Sequence, residues 1–213
     1  GKQIRVGIPM GLQYSITAIG TMMVQSSLNI LGSGAVAAFT AGSKIENVFT
    51  QAFVALGTTM STYNAQNIGA RQLDRVRKGF RSADVIGCIY AVAVGFILFF
   101  AGKYFAYLFI SDNAETVIPM VDIYLQCVGM FMIPLYVVNC YRNGFQGMGY
   151  GLLPMLSGVA ELIGRGVMAV VAAHEKSYRM ACMASPFAWI VATALLFVLY
   201  FYVMKDMKKK LCL

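Results

Sequence analysis

Long apolar stretches fill this chain, interrupted by short clusters of charge, glycine and turn-forming residues. Six can be read, at residues 4–31, 35–69, 84–101, 115–141, 152–173 and 181–204. A membrane-spanning β-barrel would show short segments alternating apolar and polar positions. The run from Val85 to Ala101 is instead almost continuously apolar, with Gly, Ala and Phe inside it, which predicts helix. The first stretch stops at Gly32-Ser33-Gly34. The second is unusually polar and would reach about 50 Å at the helical rise, so it must tilt, break or project into water. Lys103 to Ile110 reads as an aromatic interfacial piece, and Ser111 to Ala114 as a turn. The pattern predicts an all-α integral membrane protein, a six-transmembrane-helix bundle forming one unit over residues 1–213.

Composition agrees. Hydrophobic residues make up 59% of the 213 positions and charged residues 12%, against roughly 25% charged in soluble domains. An ordinary soluble domain is excluded, and the mean hydropathy of +0.68 points the same way. Because each span needs roughly 20 residues, six leave little room for a soluble domain. The five cysteines form no CxxC pair and no His cluster accompanies them, so neither a zinc site nor a disulfide framework is indicated. The sequence starts at Gly1 rather than Met, with no signal-peptide pattern, and is expected to continue upstream.

The net charge of +8 is less informative than its placement. Twelve cations fall on one side of a six-span arrangement: Lys2, Arg5, five within residues 70–81, Arg142 in the loop after the fourth stretch, and four in the tail. Three, Lys103, Lys176 and Arg179, fall on the other. Short cytoplasmic loops are enriched in Lys and Arg, so both ends are predicted to be cytoplasmic in a multi-pass protein of the cell membrane. The same rule accounts for the run Arg75 to Arg81 without nucleic acid.

Ionisable residues at membrane depth mark pathways or ion pairs. Lys44 and Glu161 each lie about 13 Å into their spans at the helical rise. Arg165 is one turn after Glu161 and within pairing reach. Glu46 stands beside Lys44, but two positions of separation point it toward a different face. These four sum to zero charge, as a desolvated cluster should, serving either to join helices or to take part in transport. Thr40, Lys44, Asn47, Gln51 and Thr58 share one face of the second helix, and Thr17, Thr21, Gln25 and Asn29 nearly share one on the first. Two such stripes favour a water-lined cavity over simple helix–helix hydrogen bonding. Asp122, about 10 Å into the fourth helix, is a further buried-acid candidate. Catalysis finds no support: His174 is the one histidine, and no HExxH, serine elbow, paired-aspartate motif or phosphate loop is present.

Particular segments carry a resemblance. Arg5-Val-Gly-Ile-Pro9-Met-Gly-Leu-Gln13, Ala37 to Lys44, and Ala65-Gln-Asn67-Ile-Gly69-Ala-Arg71 with its basic continuation to Gly79 resemble the second half of a multidrug and toxic compound extrusion (MATE) transporter. So do Phe109 to Asp112, Gly144 to Gly149, Glu161 to Arg165 and Ser185 to Trp189. The resemblance implies one lobe of a twelve-helix, two-lobe antiporter that exports small amphipathic or cationic compounds in exchange for Na+ or H+, with no other cofactor. The partners it implies are an N-terminal lobe upstream of Gly1 and the lipid bilayer. Some members carry an acid for the coupling cation on the first helix of this lobe. Here that helix offers Gln25 and Asn29 and no carboxylate. A Na+ site therefore stays unassigned, and the coupling acid is Asp122, Glu161 or one in the other lobe. The alternatives are a flippase of lipid-linked saccharides on the same two-lobe plan and a self-associating six-span unit.

Overall fold

The computed structural model describes residues 2–109 and 114–211. Among these, every regular element is an α-helix: α1 (Lys2–Leu31), α2 (Ser33–Gly69), α3 (Leu73–Phe109), α4 (Ala114–Gly129), α5 (Met132–Gly147), α6 (Leu152–Glu175), α7 (Tyr178–Cys182) and α8 (Ala184–Lys210). The turn expected from Ser111 falls largely outside the described residues, with Ala114 opening α4.

The connections follow from local chemistry. Gly32 alone joins α1 to α2 at φ +102°, a left-handed geometry that glycine adopts without strain. α3 is longer than the expected residues 84–101 at both ends, because the aromatic piece from Lys103 to Phe109 and the basic first turns are also helical. Leu73, Val76, Phe80 and Ala83 recur at helical spacing there and are buried, while the cations between them face outward. The helix expected over residues 115–141 is broken instead. α4 and α5 are bent by 56° across Met130 and Phe131. Pro134 supplies the cause: its ring would clash with the carbonyl of Met130 in a continuous helix, whereas in the first turn of a new helix its missing N–H costs nothing. Pro186 stands in the same relation to the break at Met183 between α7 and α8.

Among the described residues, three segments are long and apolar enough to cross a membrane: Leu73–Tyr107, Leu152–Glu175 and Tyr178–Lys210. The bent pair α4–α5 makes a fourth when counted as one span. This is fewer than the six expected. α1 and α2, at 30 and 37 residues, have the length, but their polar stripes dilute the apolar character.

The principal core gathers α2, α3, α4, α5 and α8 around Phe53, Phe80, Tyr136 and Phe145. A smaller one joins α1 to α6 through Val24, Leu28, Ala169 and Ala172. Gly95 and Gly129 let α3 and α4 cross closely. A Cβ on Gly95 would lie 2.6 Å from the carbonyl oxygen of Gly129.

Candidate functional site

Glu161 and Arg165 project from the same face of α6, and their carboxylate and guanidinium meet at 3.3 Å. A second cation completes the group, because Arg142 of α5 donates to the other oxygen of Glu161. Its Nε also donates to Ser157 Oγ at 3.1 Å, and that hydroxyl donates in turn to the carbonyl of Pro154 at 2.7 Å. Glu161 is 2% exposed and Arg165 8%, so these charges are removed from solvent within this chain alone. Two guanidiniums face one carboxylate, and Arg165 Nη1 is buried without a hydrogen-bond partner among the described residues.

α1 closes the group from the other side. Gly20 stands where a Cβ would come within 3.2 Å of Arg165 Cδ, so the absent side chain makes room for the arginine. One to two turns earlier, Gln13 is buried and accepts a hydrogen bond from Gln146 Nε2 of α5 at 3.1 Å. A polar layer therefore runs α1–α5–α6 within the lobe.

Of the remaining predicted residues only Glu46 lies near enough to feel the charge of Arg165; it makes no ion pair with it among the described residues, and the single neutral cluster does not form. Lys44 is exposed and makes no ion pair among the described residues. Glu46, two positions on and so on another face, accepts a hydrogen bond from the Tyr124 hydroxyl of α4. Gly42, one turn earlier, leaves room for the Tyr124 ring. Asp122 is half-buried and takes a hydrogen bond from Gln126 Nε2 at 2.9 Å within α4. Thr40, Lys44, Asn47, Gln51 and Thr58 are all exposed along α2, so the stripe points away from the lobe. On α1, Gln25 and Asn29 reach each other at 3.5 Å on an exposed face.

Arg142 and Gln13 are functional candidates that the sequence alone does not single out. The glycines Gly144, Gly147 and Gly149 make a loop of the segment around Arg142, yet α5 continues to Gly147. The signal is present as a polar series, Asn139, Arg142, Asn143 and Gln146, at spacings of three and four.

Comparison with known proteins places the whole arrangement. Residues 9–171 match the MatE family profile. The chain belongs to the MatE family. A relative from Bacillus subtilis (strain 168), the probable multidrug resistance protein YpnP, is 31% identical over 153 residues, covering 72% of this MatE chain and 34% of YpnP. YoeA from the same organism, also a probable multidrug resistance protein, is 30% identical over 78 residues. Among solved structures, a MOP superfamily transporter from Pyrococcus furiosus superposes with a TM-score of 0.89 at 20% identity, over 96% of this chain and 46% of that one. A MATE in the bent conformation gives 0.90 at 18%, over 100% and 47%. The chain thus spans about a third of its curated relative YpnP and about half of each solved transporter, and the fold is that of one part of a MATE-type helical membrane bundle.

Proposed function

We propose that this chain is the C-terminal lobe of a two-lobe efflux antiporter, exporting small amphipathic or cationic compounds in exchange for Na+ or H+ by rocking around a central cleft. The observation that supports this most is the superposition of nearly the whole chain on slightly less than half of solved MATE-type transporters. The outward polar stripe of α2 is what one wall of such a cleft requires, since a polar face on lipid would be costly.

Coupling needs an acid that can exchange its partner. Glu161 is engaged by two guanidiniums, which suits it to holding α5 and α6 together. Asp122 and Glu46 are hydrogen-bonded by uncharged donors, and a cation can compete for them. In this reading one of those two, or an acid of the other lobe, carries the coupling ion. Both ends and the loop at residues 70–72 face the cytoplasm of the cell membrane; the cation asymmetry persists with Arg142 moved into the bundle. The flippase alternative gains nothing from the buried arginines, which turn into Glu161 rather than into an open cavity.

The test is export of a fluorescent cation from vesicles holding this chain, an N-terminal MATE lobe, or both, under an imposed Na+ or pH gradient. Export only when both lobes are present, and its loss in Asp122→Asn or Glu46→Gln at unchanged abundance, is the expected result. Export by this chain alone would sink the two-lobe reading and favour the self-associating unit.

A further inference from the structure

Where α3 emerges from its apolar stretch, a cavity of about 520 Å³ opens between it, α5 and α8. Asp74, Arg77, Lys78, Arg81 and Asp84 of α3 line it together with Tyr141 of α5 and Tyr200 of α8. Its charges are unevenly committed. Asp84 accepts hydrogen bonds from the hydroxyls of Tyr136 and Tyr141, both at 3.0 Å, so its oxygens are turned into the bundle. Arg77 is 3.6 Å from the highly exposed Asp74. Lys78 and Arg81 have no ion-pair partner among the described residues. The cavity therefore offers two unpaired cations beside phenol rings, a combination suited to an anion with an apolar neighbour.

The surroundings identify which anion. Val85, Ile86 and Ile89 follow within one to two turns of Arg81 and are 57%, 61% and 68% exposed, a face suited to lipid. Arg81 stands about 6 Å beyond Val85 at the helical rise, at headgroup height. Farther along α3, Val92, Gly95 and Phe96 form an apolar groove of about 410 Å³ with Met130 and Ile133 of the α4–α5 break. Val92 is about 16 Å from Arg81 along the axis, close to the thickness of half a hydrocarbon core of about 30 Å. Cations, exposed aliphatic flank and groove thus succeed one another along α3 as phosphate, upper acyl chain and chain end do along a phospholipid.

We propose that this cavity binds the phosphate-bearing headgroup of an anionic phospholipid, through Lys78 and Arg81, with one acyl chain descending along α3 toward the groove. The site is separate from the Arg142–Glu161–Arg165 group and from the α2 stripe.

The experiment uses the purified full-length protein in detergent, with retained lipid counted by native mass spectrometry during titration with phosphatidylglycerol or phosphatidylcholine. Preferential retention of phosphatidylglycerol is expected. The double variant Lys78→Gln, Arg81→Gln should weaken it about 10- to 30-fold, since each cation near an anionic membrane surface contributes about three- to fivefold. A control double variant, Arg71→Gln, Arg75→Gln, removes the same charge outside the cavity and should change retention less than about threefold. Equal weakening by both pairs would show diffuse attraction to the basic segment and overturn the proposal. So would equal retention of the zwitterionic lipid, or none of either. Competition by inorganic phosphate or free glycerophosphoglycerol at millimolar concentration would reassign the cavity to a soluble anion. Wild-type lipid selectivity stands as a test even if the Lys78, Arg81 variant fails to fold.

Discussion

Neutralising Glu161 tests the buried group most directly, because the two arginines around it are not equivalent. In Glu161→Gln the new amide oxygen can still accept from Arg142, but the amide nitrogen is a donor facing Arg165, itself only a donor. Two buried guanidiniums then lack their countercharge, and breaking a buried pair this way costs about 3–5 kcal/mol. Adding Arg165→Met removes the cation that loses its acceptor and leaves Arg142 with the substituted amide's oxygen and Ser157 Oγ, whose bond to Arg142 Nε is 3.1 Å in the parent. That double variant should recover most of the loss, to within about 1–2 kcal/mol of the parent. Adding Arg142→Met should recover little. It leaves Arg165, 8% exposed and already carrying an unpartnered Nη1, with no carboxylate in ion-pair contact. The assay is unfolding of the purified protein in mixed micelles, followed by helical signal, for the parent, the single variant and the two doubles. Equal rescue by both doubles, or better rescue by Arg142→Met, would refute this assignment of partners. A Glu161→Gln loss below about 1 kcal/mol would show that the group is not desolvated as its exposure indicates.

Packing and charge placement lead to three further outcomes. Gly95→Ala should cost about 1–3 kcal/mol in the same unfolding assay, because its Cβ would lie 2.6 Å from a backbone oxygen that cannot rotate away. Gly34→Ala, in the first turn of α2 with nothing within 4 Å, should be neutral or stabilising by up to about 1 kcal/mol. A membrane-impermeant maleimide applied to whole cells should label Lys176→Cys but not Gln72→Cys in a cysteine-free background, and the reverse pattern would invert the proposed orientation.

Helical class and family were legible in the residues because both reside in local or near-local information. Apolar runs of spanning length, the absence of strand alternation, and segments such as Gln66-Asn67-Ile68-Gly69-Ala70-Arg71 need no knowledge of packing. The pairing of Glu161 with Arg165 was legible for the same reason, since one helical turn separates them. Tertiary structure decided what depends on other helices. It supplied Arg142 from α5, separated by 19 positions, and set Gln13 against Gln146 across 133. It also left Lys44 exposed and outside the cluster and Glu46 near Arg165 without an ion pair to it, because charge summed along a sequence carries no direction. The break between α4 and α5 stands between these cases. Pro134 announces it locally, but whether a membrane proline bends a helix or ends it depends on what satisfies the freed backbone groups, and only the packed neighbours determine that.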